Sequence, residues 1–404
     1  MALLKLIFIF ILLLFLLRRR WMLGHALFLA AILCGLMQEV SPFQIGISFG
    51  HALKNIHNLL LSCIIVSILI FAHSLGKTGY AERLIQAYQG VFPWPRFNLM
   101  MLPALIGLLP MPGGAIFSAP LVEGLAQPLK VPRPQQAMIN YWFRHTWEYA
   151  WPLYPGLILT THLGEVDLFQ LIALQLPFTI LAFGLGYVFL LRSVRADYVE
   201  KKGSFLIFFR EIAPILTVVV LAVGGEALFH FLPREVIIGL AVWVGISWVW
   251  MKQKISFVQI KEIFKDKTLL KVLYAVVAIF CFKQMLNESR IVFAASDFLT
   301  AYHVPLGLIA AFLPFLVGLI IGLTLAFVGT TFPLIFALIQ AVHAPVLPYI
   351  MLAFACGVVG VLLSPMHLCF VLSIEYFKAE FKDAHQQLYL PCFLCWQVLY
   401  FGFG

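Results

Sequence analysis

The segment LLPMPGGAIFSAP, Leu108 to Pro120, sets three prolines, two adjacent glycines and a serine inside a hydrophobic stretch that would otherwise make a plain membrane span. Backbone groups without hydrogen-bond partners are costly in hydrocarbon, so irregular backbone persists at membrane depth only where protein or a water-filled cavity satisfies it. Glycine lets the main chain approach a ligand closely, and proline ends a helix without leaving an unmet donor. The N–H groups that start the next helix then face the break and favour an anion. A proline-kinked helix would show one such break; a second at a matching place distinguishes the two readings.

The chain contains that second break. LPALIGLL (Leu102–Leu109) matches LPFLVGLI (Leu313–Ile320) at an offset of 211, with five of eight positions identical. Each match runs into a helix-breaking stretch, PMPGGAIFSAPL in the first half and IGLTLAFVGTTFPL in the second, and both stretches close on Pro-Leu at an offset of 213. The same offset sets Met138 on Met351 and Pro152 on Pro365. Paired breaks in two halves of a membrane chain point to the midplane site of a secondary transporter. The expected fold is an all-α polytopic membrane protein of two inverted repeats, each with five transmembrane spans and one re-entrant helical hairpin. Repeat one covers 1–203, with spans near 4–17, 21–38, 58–75, 137–161 and 168–191 and a hairpin at 98–127. Repeat two covers 204–404, with spans near 211–231, 235–251, 270–285, 348–374 and 388–402 and a hairpin at 305–342. In both, the span after the hairpin (137–161 and 348–374) is broken by proline.

Composition agrees. Of 404 residues, 62% are hydrophobic and only 11% charged, and mean hydropathy is +0.98; a soluble protein carries about twice that charged fraction. The net charge of +9 therefore speaks of orientation in a bilayer, not of nucleic acid. With Arg18–Arg20 in the cytoplasm, 21 of the 27 Lys and Arg residues fall inside, and only Lys5, Lys54, Arg234 and Arg290 fall outside. An odd number of spans per half makes the second half inverted and both termini periplasmic. Arg18–Arg20 follow the first apolar run instead of preceding it, so residues 4–17 read as a span and not as a cleaved signal. Cys392 and Cys395 form a CxxC within an apolar segment, where small core residues are the expected reading.

Candidate site residues cluster at the breaks. Pro112, Gly113, Gly114 and Ser118 form the first hairpin tip, and Gly329, Thr330 and Thr331 the second; small and hydroxyl-bearing residues there suit an anion or a sodium ion. Arg144 and Glu148 lie i, i+4 within a span and share a helix face. Charges inside a membrane usually face a pathway, so Arg144 is a substrate counter-charge and Glu148 a carrier of the coupling proton or ion. Ser364 and His367 flank Pro365 and extend these two roles, Ser364 to substrate and His367 to the proton. His145 and Glu148 have metal-ligand spacing, but nothing nearby in sequence completes a ligand set, and no metal or cofactor is expected.

LLPMPGGAIFSAPL, NYWFRHTWEYAWPLYPG (Asn140–Gly156) and LLSPMHLCFVLSIEYF (Leu362–Phe377) resemble the signature segments of the domain of unknown function 401 family of prokaryotic integral membrane proteins. That family is grouped with the ion transporter superfamily, beside gluconate permeases and divalent-anion/sodium symporters. The resemblance covers nearly the whole chain and implies inverted repeats, re-entrant hairpins, a homodimer and elevator-type alternating access. Where dicarboxylate symporters carry Ser-Asn-Thr at their tips, this chain has Gly-Gly-Ala-Ile-Phe-Ser and Gly-Thr-Thr; its Pro-rich first tip is more similar to that of the gluconate permeases.

The expected function is a secondary transporter of a small anion, an organic acid, in the cell inner membrane, driven by a proton or sodium gradient. The alternatives are a membrane-embedded enzyme acting on lipid, or a channel or assembly factor; HExxH does not occur, and GxSxG occurs only as GISFG at Gly46–Gly50. In a cysteine-free background, Lys201→Cys should be protected from a membrane-impermeant thiol reagent in intact cells while Lys54→Cys is labelled. Labelling at position 201 from outside would overturn the topology.

Overall fold

The computed structural model describes residues 2–88, 91–109, 113–194, 203–229, 231–289, 291–292, 301 and 304–402. In chain order its helices are α1 (Ala2–Arg18), α2 (Leu23–Met37), α3 (Pro42–Lys54), α4 (Ile56–Lys77), α5 (Tyr80–Tyr88), α6 (Pro95–Gly107), α7 (Ala115–Ala126) and α8 (Arg133–His145). A 3-10 turn, Thr146–Tyr149, precedes α9 (Pro155–Gly164) and α10 (Leu168–Gly186), which runs into a π-helical turn at Tyr187–Leu191. Then come α11 (Phe205–Leu228), α12 (Arg234–Gln253), α13 (Phe257–Phe264) and α14 (Lys267–Glu288). The last five are α15 (Leu306–Ile321), α16 (Thr324–Ala341), α17 (Val346–Leu363), α18 (Leu368–Phe377) and α19 (Phe381–Gly402). No strand occurs among the described residues.

Among the described residues, seven segments are long and apolar enough to cross a membrane: Ile56–Lys77, Leu168–Leu191, Phe205–Glu226, Arg234–Gln253, Phe257–Glu288, Thr324–Ala341 and Val346–Phe377. Shorter apolar helices include Leu23–Met37, Ala115–Ala126 and Leu306–Ile321. The chain is a multi-pass helical membrane protein. Helices α5 and α13 fall between the expected spans, and so does α3, in the segment 40–57. Its start is written in Ser41-Pro-Phe-Gln44, where Ser41 and Gln44 cap each other's backbone amides and Pro42 occupies the first turn.

Spatial grouping does not follow the sequence halves. Helices α2, α3, α4, α11, α12 and α14 pack on one another, while α6–α10 and α15–α19 form a second group. Lipid tails are as apolar as the helix surfaces, so close packing and interhelical polar contacts hold such groups together. The tightest seam joins α15 to α17: a side chain at Gly318 would meet the Gly357 carbonyl at 2.5 Å, and one at Gly360 would run into the Phe315 carbonyl.

The two groups meet through α14 against α16 and α4 against α9, and through a polar clasp at the corner between α9 and α10. His162 donates to Asn58 Oδ1 (2.9 Å) and its Nδ1 lies 3.7 Å from Glu235 Oε1. Lys283 donates to the Leu163 carbonyl (3.0 Å), and Arg234 to the Val166 carbonyl (3.0 Å) and to Asp167 Oδ2 (2.8 Å).

Overpacking a tight seam costs about 1–3 kcal/mol. Gly360→Leu should therefore lower the melting temperature of the detergent-purified protein by several degrees. Gly184→Leu, on a helix face with nothing within 4 Å, should leave it nearly unchanged.

Candidate functional site

Four helices that follow interruptions of the chain begin at one cavity, where α2 also begins at Leu23. α7 starts just after Gly113, α9 at Pro155, α16 at Thr324 and α18 at Leu368, and all four of these residues line a cavity of about 450 Å³. None of the four has a side-chain cap on its first-turn amides, a state they share with α2, α6, α8, α11, α12, α15 and α17, while Ser41, Asn55, Asp167, Ser256 and Asp266 cap α3, α4, α10, α13 and α14. Each helix start carries unpaired N–H groups and the equivalent of about half a positive charge. Two of the starts lie in each half of the sequence. Left-handed glycines make two of the turns: Gly113 (φ +73°) before α7 and Gly322 (φ +71°) before α16, conformations that other residues adopt only under strain.

The charged side chains gather at the same place. Arg144, at the end of α8, is 4% exposed, and its Nη1 lies 3.5 Å from His145 Nε2 and 3.3 Å from Cys369 Sγ. Glu148, in the 3-10 turn, accepts a hydrogen bond from Thr324 Oγ1 (3.0 Å) and lies 3.9 Å from His145 Nε2. His145 turns its Nδ1 onto the Tyr141 carbonyl (2.6 Å), so its Nε2 faces His367 Nε2 at 3.0 Å. One proton between the two rings makes that contact a hydrogen bond. Tyr154 donates to the Gly107 carbonyl (2.9 Å), tying the turn before α9 to the end of α6.

Of the residues expected from sequence, Gly113, Arg144, Glu148 and His367 line this cavity. Gly114 stands behind Arg144, with its φ at −56°; its constraint is space, because a side chain there would collide with the guanidinium. Pro112 lies outside the described residues. Ser118 points elsewhere: it donates to Asn140 Oδ1 (2.6 Å), and Asn140 donates in turn to Ser373 (2.9 Å) and to the Ala115 carbonyl (3.0 Å), a buried network joining α7, α8 and α18. Ser364 caps the end of α17 and accepts from the Met366 amide (3.2 Å).

The expected second tip needs correction. Gly329, Thr330 and Thr331 lie in the middle of α16, fully buried, and the break falls seven residues earlier at Gly322–Leu323. Thr330 and Thr331 bond back to the Ala326 and Phe327 carbonyls (2.7 Å each), and Gly329 admits Ile279 of α14. Pro333 was taken to close the tip, but it sits inside the helix. Thr324, Gly322, His145 and Cys369 were missed as a set. The signal for the first two was present, since the 211 offset of LPALIGLL onto LPFLVGLI carries Gly113 onto Thr324.

A metal ligand set also needs revising: His145, His367 and Cys369 bring one ligand atom each within 4.8 Å of one another, a completion that sequence spacing did not show. Such a trio suits a soft or borderline ion. The Arg144 guanidinium touches two of the three, a fixed positive charge where the ion would sit, so the arrangement favours an anion. A larger cavity of about 650 Å³ lies at the other end of α9. Most of its charges face one another, His57 and His162 on Glu235 and Arg234 on Asp167 and Glu226, with Lys283 and Glu165 beside them, and we place the site at the helix starts instead.

The family described as "Protein of unknown function (DUF401)" matches residues 1–402. The chain belongs to this family. No curated protein matches it. Among solved structures it is similar to the crystal structure of the Alcanivorax borkumensis YdaH transporter, at 14% identity and a TM-score of 0.62 over 84% of this chain and 83% of that one. At that identity the likeness is one of fold. The broken helices of this family member thus sit in an architecture that a transporter also uses.

Gly114→Ala should displace Arg144 from the cavity without unfolding the protein. A thermal-shift panel of organic acids should stabilise the wild type and leave the variant unmoved, with both melting at similar temperatures in the absence of ligand.

Proposed function

We propose that the protein is a secondary transporter of a small organic anion in the cell inner membrane, coupled to a proton or sodium gradient. One observation carries this reading: four uncapped helix starts, two from each half of the chain, meet Arg144 at a single cavity. Aligned amides and a guanidinium stabilise a negative charge without any further group. A cavity of about 450 Å³ falls within the range of small-molecule sites, roughly 300–1,000 Å³.

Glu148 couples the anion to a cation. A carboxylate beside the bound anion repels it, and a proton on Glu148 removes that repulsion, so each favours the other's binding by the same factor. The His145–His367 contact holds a second exchangeable proton nearby. Sodium would instead draw on Glu148 and Thr324 oxygens.

Alternating access follows from the grouping of helices. On this reading α6–α7 and α15–α16 are the re-entrant hairpins of two inverted repeats, residues 1–203 and 204–404. Together with the broken α8–α9 and α17–α18 they form the moving body of an elevator. The remaining group is the stationary scaffold, through which a homodimer assembles. Trp21 and Lys271, beside Arg18–Arg20 and Lys267, line the cavity; under the positive-inside rule they mark its cytoplasmic mouth. Membership of the ion transporter superfamily belongs to the same proposal.

Counterflow in proteoliposomes with labelled organic acids tests the carrier reading, because only a carrier exchanges label against an unlabelled internal pool. Glu148→Gln should keep exchange and lose uptake against a gradient. Driven uptake that survives in a destabilised Glu148→Gln variant would make Glu148 a structural partner of Thr324, and the proton role would be abandoned.

A further inference from the structure

We infer that the anion has one charged head and an apolar body: a monocarboxylic acid of modest size, not a sugar acid and not a dicarboxylic acid. The inference rests on the anion-transporter reading and names the substrate class of that same site. The polar lining gathers around Arg144, with Lys271 apart from it at the mouth. Most of the wall is apolar and comes from Trp21, Leu23, Leu69, Val272, Leu323 and Leu368, the last two at helix starts themselves. Trp21, Leu323 and Leu368 are large apolar side chains in this lining, and a ligand's hydrocarbon would pack against them.

Several of the polar side chains that line the cavity are already engaged. Thr324 donates to Glu148, Tyr154 to the Gly107 carbonyl, and the two histidines meet through their Nε2 atoms. A polyol entering here gives up water at each hydroxyl and finds few partners, which weakens binding about fivefold or more per buried hydroxyl. A second carboxylate faces the same apolar wall. Lys271 at the mouth is exposed to solvent, where screening leaves an ammonium little hold on it. Size points to a small molecule as well: about 450 Å³ lies within the range of small-ligand sites, roughly 300–1,000 Å³.

Three six-carbon acids isolate the variable. Hexanoate has one carboxylate and an apolar body, adipate adds a second carboxylate, and gluconate adds five hydroxyls. Titrating each into the full chain in lipid nanodiscs by calorimetry, with empty nanodiscs subtracted, should show hexanoate binding about a hundredfold or more tighter than gluconate, and tighter than adipate. Leu368→Asn should weaken hexanoate about three- to tenfold and narrow its lead over gluconate. Octanoate and palmitate separate a dissolved acid from a membrane amphiphile: affinity should rise to octanoate and rise no further at palmitate. Gluconate or adipate binding more tightly than hexanoate, or palmitate far above octanoate, would overturn this substrate class and leave the anion site standing. If no acid of the set binds, the anion-transporter reading fails and this inference with it.

Discussion

Inside a bilayer, a helix that stops must do something with the amides of the helix that follows. Water is absent and lipid offers no acceptor, so every interruption at depth creates a demand for negative charge or for a wet cavity. This chain interrupts itself four times around one point, near Gly113, Tyr154, Gly322 and His367, and brings the ends together. The demand becomes collective. Each helix start alone is a weak electrostatic feature; four at one space, with Arg144 among them, add up to a positive lining. Much of the surrounding structure serves to hold the ends in place: Tyr154 bonded to Gly107, Asn140 bridging Ser118 and Ser373, and Gly114 giving Arg144 room.

The first break was legible because it is over-written, with Pro110, Pro112, Gly113 and Gly114 in five residues. The second is written in one glycine. Gly322 takes the left-handed turn with no proline beside it, while GTTFP seven residues on looks more disruptive and is not. Two local effects explain the misreading. Threonine in an apolar helix settles its hydroxyl on a carbonyl one turn back, and a proline inside a helix is tolerated where neighbouring helices and side chains re-satisfy the backbone. Composition marks places where a helix is weak, and tertiary packing decides which of them yields.

Side-chain partnerships were less legible than backbone. Arg144 and Glu148 stood out because charge is rare in such a chain, and both line the cavity. His145 facing His367, and Thr324 reaching Glu148, join residues 222 and 176 positions apart, and no local pattern encodes such distances. Ser118 illustrates the opposite error. A serine one turn past a break has the right chemistry for a ligand, but helix periodicity turns it toward Asn140 and away from the cavity.

The clasp at the α9–α10 corner has a mechanical consequence. His162, Lys283 and Arg234 join it to α4, α12 and α14 through groups within reach of water. If the two helix groups slide past each other, these contacts are exchanged for hydration. Half-exposed ion pairs are worth only about 0–1 kcal/mol each, so the exchange raises no steep barrier. Their geometry is nonetheless specific, with donors meeting particular carbonyls in one register only. In such a slide the clasp would work as a detent, defining a stopping position without imprisoning the molecule there; its dwell time would answer to the ionic strength of the bathing solution, and the apolar seams on either side to the lipid.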